Sequence, residues 1–95
     1  MNLEITFRHL EHTEAIDEKI KDKVSKLKER HFTDAVTFQW TSWIEHDDHI
    51  TTLKAHDKGK DFFVKASADN LYKTIDMIIN KMTAQVEHHG VHSKH

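Results

Sequence analysis

The 95-residue chain carries 14 basic and 16 acidic side chains, a formal net charge of −2, and no cysteine. Disulfides and thiolate metal sites are therefore excluded, and no apolar run is long enough for a membrane span or a secretory signal. A chain of this length forms one domain with a modest core. We expect a soluble cytoplasmic protein with a single domain at residues 1–89 and a flexible, histidine-rich tail at residues 90–95.

The N-terminal segment predicts a strand followed by a helix. Residues 2–8 alternate apolar and polar side chains, the two-residue period of a strand with one buried face. Thr13 offers a side-chain oxygen as the N-cap of a helix at about residues 14–30. Acidic residues follow it, and their negative charge is favourable at the positive end of the helix dipole. Apolar residues spaced by three or four positions predict one buried stripe on this helix, formed by Ile16, Ile20, Val24 and Leu27.

Alternating apolar and polar residues predict three further strands, at about residues 35–43, 50–56 and 62–68. The polar segment 45–49 is predicted to connect the first two of these strands. Gly59 is available for a positive φ in the turn between the last two.

A second amphipathic helix closes the chain. Asp69 or Asn70 is its predicted N-cap, and Gly90 predicts that it ends near residue 88 or 89. Its buried stripe is predicted to comprise Leu71, Ile75, Ile78, Met82 and Val86.

The element order β-α-β-β-β-α predicts an α+β fold of two layers. A right-handed crossover through the first helix makes the first two strands parallel, and short connections make the last three an antiparallel meander. Because each helix has only one apolar stripe, we expect a four-stranded mixed sheet with both helices packed on one face and the other face in water.

Charge is segregated along both helices. At about 100° per residue, one flank of the first helix carries only basic side chains, namely Lys19, Lys23, Lys26 and Arg30. Lys21 and Lys28 lie among acids on the other flank. In the second helix, Lys81, Gln85 and His88 share one flank.

Two interpretations of the basic flank are open. Charged residues at helical spacing commonly do no more than solvate a helix. Like charges along one edge, however, repel each other by a few tenths of a kcal/mol per pair. Phosphate binding offsets that repulsion, since each neutralised phosphate releases condensed counterions. The pattern therefore makes RNA binding an alternative interpretation, while a solvated helix face stays the more common explanation of such a stripe.

Other constellations carry weaker signals. His88 and His92 have the spacing of a helical metal chelate, but no cysteine or well-placed carboxylate completes a four-ligand shell, so no metal or other cofactor is predicted. The polar residues 46–49 are more typical of a solvated loop than of a catalytic site, so no enzyme is predicted.

Three aromatic residues are candidates for contact with RNA. Phe32 and Tyr72 are candidates to stack on bases, although Tyr72 is expected to border the core. Trp43 lies either on the open sheet face or tucked inward.

The chain resembles the ribosome hibernation promoting factor family, also called the ribosome-associated inhibitor or sigma-54 modulation family. The resemblance covers nearly the whole chain and rests on the element order and on four segments. These are "LEITFRHLEHTEAI", Lys23-Val24-Ser25-Lys26-Leu27 with Phe32, Ala66-Ser67-Ala68, and "LYKTIDMIINKMTAQV". In the last segment Tyr72, Ile75, Asp76, Lys81 and Gln85 match the family pattern.

The resemblance implies a function on the ribosome. Such proteins bind the small (30S) subunit and 70S or 100S ribosomes through 16S rRNA, in the mRNA and tRNA channel near the decoding site, and silence translation in stationary or stressed cells. Lys23, Lys26 and Lys81 match basic positions of the family helices, whereas Lys19 and Arg30 join them by geometry. The length resembles the short form, for which a separate ribosome modulation factor is a possible partner, and we expect a monomer off the ribosome.

The chain departs from the family pattern in its second helix. Ala84 and Glu87 stand where relatives often carry basic residues, and Gly90 shortens a helix that some relatives continue. We therefore expect the first helix to dominate the charge. The alternative function is a protein-interaction module that binds a transcription factor or ribosomal protein through the open sheet face.

Overall fold

The computed structural model describes residues 1–89 and has the predicted α+β fold. The elements are β1 (Asn2–Arg8), α1 (Glu14–His31), β2 (Thr37–Glu45), β3 (Asp48–Asp57), β4 (Lys60–Ala68) and α2 (Leu71–His89). The predicted order β-α-β-β-β-α is confirmed. The predicted flexible tail at 90–95 lies outside the described residues.

The four strands form one mixed sheet in the order β1-β2-β3-β4. β1 and β2 are parallel, whereas β2 with β3 and β3 with β4 are antiparallel, as predicted. Strands that follow one another in sequence are therefore also neighbours in the sheet. Among residues 1–89, the outer edges of β1 and β4 have no strand partner.

One face of the sheet is covered by both helices and holds the core. Trp40 and Leu53 from the central strands are fully buried, as are Ile20 and Val24 of α1 and Ile75 of α2. The predicted helical stripes are confirmed, with Ile16 only partly buried at the end of the first stripe. The two-layer arrangement is thus held by apolar contacts on a single sheet face.

Phe32 belongs to this core, so its prediction as a base-stacking residue is wrong. It is 3% exposed and makes edge-on ring contacts with Phe38 and Phe62, at centroid distances of 5.2 Å and 5.8 Å. Phe32 is the C-cap residue of α1, where the chain turns back to the sheet, and its ring is carried inward. A residue just outside a helix has no periodic signal that reveals its burial.

β2 begins and ends two residues later than predicted. The Val36 amide donates to the Thr33 carbonyl at 3.2 Å, so residues 33–36 form a turn before the strand starts. The predicted polar connection at 45–49 is mostly strand, because Glu45 already pairs with Asp48. The polar composition of this hairpin concealed its pairing from the sequence-based prediction.

The β3–β4 turn also lies between closely paired strands. Asp57 pairs with Lys60, and the two residues between them, Lys58 and Gly59, have φ of 52° and 77°. Two successive positive φ values are the signature of a type I′ turn, whose twist suits a β-hairpin. The predicted use of Gly59 in a turn with positive φ is confirmed.

Side-chain caps define the start of each helix. Thr13 has extended backbone angles, and its Oγ1 accepts a hydrogen bond from the Ile16 amide at 3.2 Å. Of the two candidates for α2, Asn70 is the cap, because its Oδ1 accepts from the Lys73 amide at 2.9 Å. Both caps satisfy amides that the helix itself leaves without partners.

A buried chain of hydroxyl groups ties α2 to the sheet. The Trp40 indole donates to Ser42 Oγ at 3.0 Å, and hydroxyl contacts of 2.8 Å and 2.9 Å continue to Thr51 and Thr74. Thr74 donates in turn to the Leu71 carbonyl in the first turn of α2. The network satisfies four buried polar side chains and sets the position of the helix on the sheet.

Candidate nucleic-acid interface

The two helices enclose a groove on the side of the molecule away from the sheet. A cavity of about 210 Å³ lies between them, lined by Lys23, Lys26, Leu27, Arg30, His31, Ile79 and Thr83. The α1 side of this groove is basic, whereas α2 contributes apolar and hydroxyl groups. Three of the four cations predicted to form one basic flank, Lys23, Lys26 and Arg30, thus line a single concave surface.

Lys19 extends the basic flank beyond the groove. It is exposed and lies one turn before Lys23 on α1, but it does not line the cavity. The flank therefore continues toward the N-terminal end of α1. We define the basic groove as Lys23, Lys26 and Arg30 with their apolar neighbours Leu27 and Ile79.

Carboxylates accompany two of the groove lysines. Lys23 Nζ lies 3.9 Å from Asp76 Oδ1 of α2, and Lys26 Nζ lies 3.3 Å from Asp22 Oδ2 one turn earlier. Both aspartates are more than half exposed. Exposed pairs of this kind contribute about 0–1 kcal/mol, so phosphate oxygens can replace these carboxylates at little cost.

The other flank of α1 is neutralised more closely, as its mixed charge predicts. Lys21 Nζ lies 2.8 Å from Asp17 Oδ2, and Lys28 is paired with Asp34 of the α1–β2 loop. The hydrogen bond from Lys21, followed by the one from His12, lowers the pKa of Asp17 below its ordinary value. The Lys28 ammonium likewise lowers the pKa of Asp34. The cations of this flank serve local structure.

Lys81 and Gln85 of α2 do not join the basic groove. Lys81 Nζ donates to the Lys65 carbonyl at 2.8 Å. The Gln85 amide accepts from the Phe63 amide at 3.1 Å and donates to the Phe63 carbonyl at 3.2 Å. Both side chains therefore occupy the outer edge of β4, whereas Ile79 on the opposite flank of α2 faces the groove.

The predicted site residues thus form two groups. Lys19, Lys23, Lys26 and Arg30 lie along or beside the groove, and Lys81 and Gln85 lie along the edge of β4. His88 is exposed three residues after Gln85, near the end of α2. Helical angles alone could not distinguish these groups, because they do not show which flank of α2 meets α1.

The open sheet face carries an aromatic and basic patch that the sequence analysis only partly identified. Trp43 is partly exposed on this face rather than tucked into the core. The Arg8 guanidinium carbon and the Lys65 ammonium nitrogen lie 5.9 Å and 6.0 Å from the centre of its ring. Strand alternation could have placed all three residues on one face, but only the register brings them together.

Tyr72 is 50% exposed, so the expectation that it borders the core is wrong. It lies in the first turn of α2, and half of the residue is in contact with solvent. Its exposed ring leaves the alternative prediction of base stacking open.

Within residues 1–89, no three histidine or acidic side chains are grouped closely enough to hold a metal ion. The proposed partner of His88, His92, lies outside this range. Neither α1 nor α2 is long and apolar enough to cross a lipid bilayer.

Two solved structures share this fold. A ribosomal subunit interface protein from Coxiella burnetii aligns with a TM-score of 0.81 at 17% identity, covering 94% of this chain and 97% of its own. The N-terminal domain of Protein Y from Thermus thermophilus aligns with a TM-score of 0.82 at 21% identity, covering 94% and 99%. At these identities the likeness establishes the fold alone.

Sequence comparison identifies the family. Proteins named ribosome hibernation promoting factor are 30% identical in Salmonella typhimurium and 26% identical in Azotobacter vinelandii, each over 89 residues. These alignments cover 94% of this chain and 93% and 82% of the relatives. The family profile described as "Sigma 54 modulation protein / S30EA ribosomal protein" matches residues 3–91. The chain therefore belongs to the Sigma 54 modulation protein / S30EA ribosomal protein family.

Proposed function

We propose that this protein is a non-enzymatic ribosome hibernation factor of the cytoplasm. It binds the small ribosomal subunit in the mRNA and tRNA channel near the decoding site, inhibits translation and preserves idle ribosomes in stationary phase or stress. Its partners are 30S subunits and 70S or 100S ribosomes, contacted through 16S rRNA, together with a separate modulation factor. The names of its relatives support the ribosome as partner, and the basic groove supports RNA as the contacted surface.

The basic groove supports the proposal because three cations line one concave surface. Lys23, Lys26 and Arg30 line one concavity, and the carboxylates nearby are exposed and weakly held. An rRNA backbone that enters the groove displaces these carboxylates and releases counterions from its phosphates. Lys19 extends the same contact along α1. Binding then blocks tRNA and mRNA by occupancy, with no chemical step.

Lys81 and Gln85, which lie along the edge of β4, have a secondary part in this proposal. Lys81 and Gln85 hold β4 in place, yet each retains unused donors, because an ammonium has three N–H groups and an amide has two. We propose that these remaining donors, with His88, contact rRNA at the margin of the interface. The larger share of the binding energy comes from α1.

The test compares two double variants of α1 that remove the same charge. Lys23→Gln/Lys26→Gln alters the basic groove, and the control Lys21→Gln/Lys28→Gln alters the opposite flank of the same helix. Co-sedimentation with 30S subunits is measured over a range of salt concentrations. We expect the groove variant to lower affinity about tenfold or more and to reduce the logarithmic salt slope by about 1.5, since each phosphate contact contributes roughly 0.7–0.9. The control should bind 30S subunits as the parent does.

Equal losses in both variants would show that only total charge matters and would contradict a groove-specific contact. Retention of parental affinity and salt slope by the groove variant would reject the basic groove as the rRNA-binding surface.

A further inference from the structure

The open sheet face carries an aromatic and basic cluster near the β2–β3 hairpin. Cross-strand pairing places Arg8, Trp43, Ile50 and Ser67 in one row across the four strands. The next row contains Thr6, Thr41, Thr52 and Lys65. We call Arg8, Trp43 and Lys65, with these three threonines, the open-face patch.

Trp43 is only partly exposed on the open face. Its cross-strand partner Ile50 lies on the same face and outside the hydrophobic core cluster, and it is 5% exposed. The patch therefore combines an apolar pair of neighbours with the exposed part of the indole.

The charges around Trp43 suit a nucleotide. The Arg8 guanidinium carbon and the Lys65 ammonium nitrogen lie over the ring at 5.9 Å and 6.0 Å from its centre, which is the outer limit of cation–π contact. A base stacked on the indole would have its phosphates within reach of both cations. The neighbouring threonine row adds hydroxyl donors and acceptors.

Acidic groups of the same face border the open-face patch. Glu45 and its cross-strand partner Asp48 form the next row beyond Trp43, at the β2–β3 hairpin, and Glu4 lies two residues along β1 from Thr6. The charged groups that lie over the indole are nevertheless both cations, and they favour an anionic ligand at the ring.

We propose that the open-face patch binds single-stranded RNA, with a base stacked on Trp43 and the adjoining phosphates held by Arg8 and Lys65. The helices cover the opposite face of the sheet, so this is a second RNA-binding surface, separate from the basic groove. Stacking accepts any base, so the patch would select single strands over duplexes rather than a particular sequence.

The test uses octa-adenylate at low salt, with fluorescein-labelled oligonucleotide anisotropy as the readout for every variant. The parent should also show saturable quenching of tryptophan fluorescence, because the chain has two tryptophans and the other, Trp40, is fully buried. Trp43→Leu and Arg8→Gln/Lys65→Gln should each weaken binding about tenfold. Trp43→Phe should retain most of the affinity.

Two controls separate the patch from general charge. Lys58→Gln/Lys60→Gln removes the same charge at the β3–β4 turn, and Lys21→Gln/Lys28→Gln removes it from the flank of α1 outside the basic groove. Both should bind octa-adenylate within about twofold of the parent. Unchanged emission from Trp40 in each variant verifies that the core is intact.

Absence of quenching in the parent, or parental affinity in Trp43→Leu, would overturn the open-face proposal. If 30S association were retained in that case, the proposed function would stand without the second surface. Loss of 30S association in Trp43→Leu, with no affinity of the parent for octa-adenylate, would assign the patch to a protein partner and reject RNA binding there.

Discussion

Single carboxylates decide how much of the positive charge on α1 is available to a ligand. Asp17 and Asp34 are held close to lysines on one flank, whereas Asp22 and Asp76 stand farther from the groove lysines. The difference is geometric, because both flanks contain the same residue types. A count of charges in the segment could not have shown it.

Asp76 is the groove carboxylate contributed by α2, and its removal should strengthen ribosome binding. Asp76→Asn eliminates the anion 3.9 Å from Lys23 without changing the shape of the side chain. We expect the dissociation constant for 30S subunits to fall about two- to fivefold, in keeping with an exposed pair of less than about 1 kcal/mol. Glu29→Gln, an exposed change on the back of α1, is the control. Weaker binding by Asp76→Asn would contradict competition between this carboxylate and phosphate.

Asp17 should make stability depend on pH in acid. The hydrogen bonds from Lys21 and His12 lower its pKa in the folded state, so the unfolded chain takes up a proton first as pH falls. Its stabilising contribution is therefore complete above its ordinary pKa near 4 and is lost as pH drops through the lowered folded value. Asp17→Asn should show a smaller loss in the free energy of unfolding than the parent between pH 5 and pH 2, measured by urea denaturation. An unchanged pH profile would contradict this assignment.

At the scale of elements, the exposed edge of β4 is partly satisfied by side chains of α2. An unpaired edge strand offers its backbone groups to other chains. The Gln85 side chain hydrogen-bonds the backbone amide and the backbone carbonyl of Phe63, as a partner strand would. Lys81 donates a hydrogen bond to the Lys65 carbonyl. This arrangement agrees with the expectation of a monomer off the ribosome.

Removal of the Gln85 amide should loosen this edge. Gln85→Ala deletes two hydrogen bonds, and we expect it to lower the free energy of unfolding by about 1–2 kcal/mol. The Phe63 amide should then exchange with solvent faster, as measured by hydrogen exchange, whereas Glu87→Ala, an exposed change two residues later, should leave that amide protected. Unaltered exchange at Phe63 in Gln85→Ala would show that the bond does not persist in solution.

Local patterns predicted the elements well but not their contacts. The alternation and the helical spacing of apolar residues located each strand and helix within about two residues. Burial of one face of an element requires apolar residues at regular intervals in the sequence. The flank of α2 that meets α1 depends on how the two helices are rotated on the sheet. No pattern within either helix indicates that rotation. The sequence therefore could not predict that Lys23 lies in the groove whereas Lys81 lies at the edge of β4.

At the scale of the whole molecule, the sheet separates two surfaces of different character. The helical side presents the basic groove, and the open side presents Trp43 between two cations. The formal net charge of −2 describes neither surface. The proposed RNA contacts rest on the distribution of charge that the fold sets.

Tethered cleavage tests most directly whether the basic groove faces 16S rRNA near the decoding site. Because the chain has no cysteine, Asn80→Cys, at an exposed position next to the groove residue Ile79, can carry a single iron chelate. Bound to 30S subunits, it should generate hydroxyl-radical cleavage of 16S rRNA around the decoding site, stronger than that from Lys58→Cys at the β3–β4 turn. Cleavage absent from that region, or stronger from Lys58→Cys, would contradict the account.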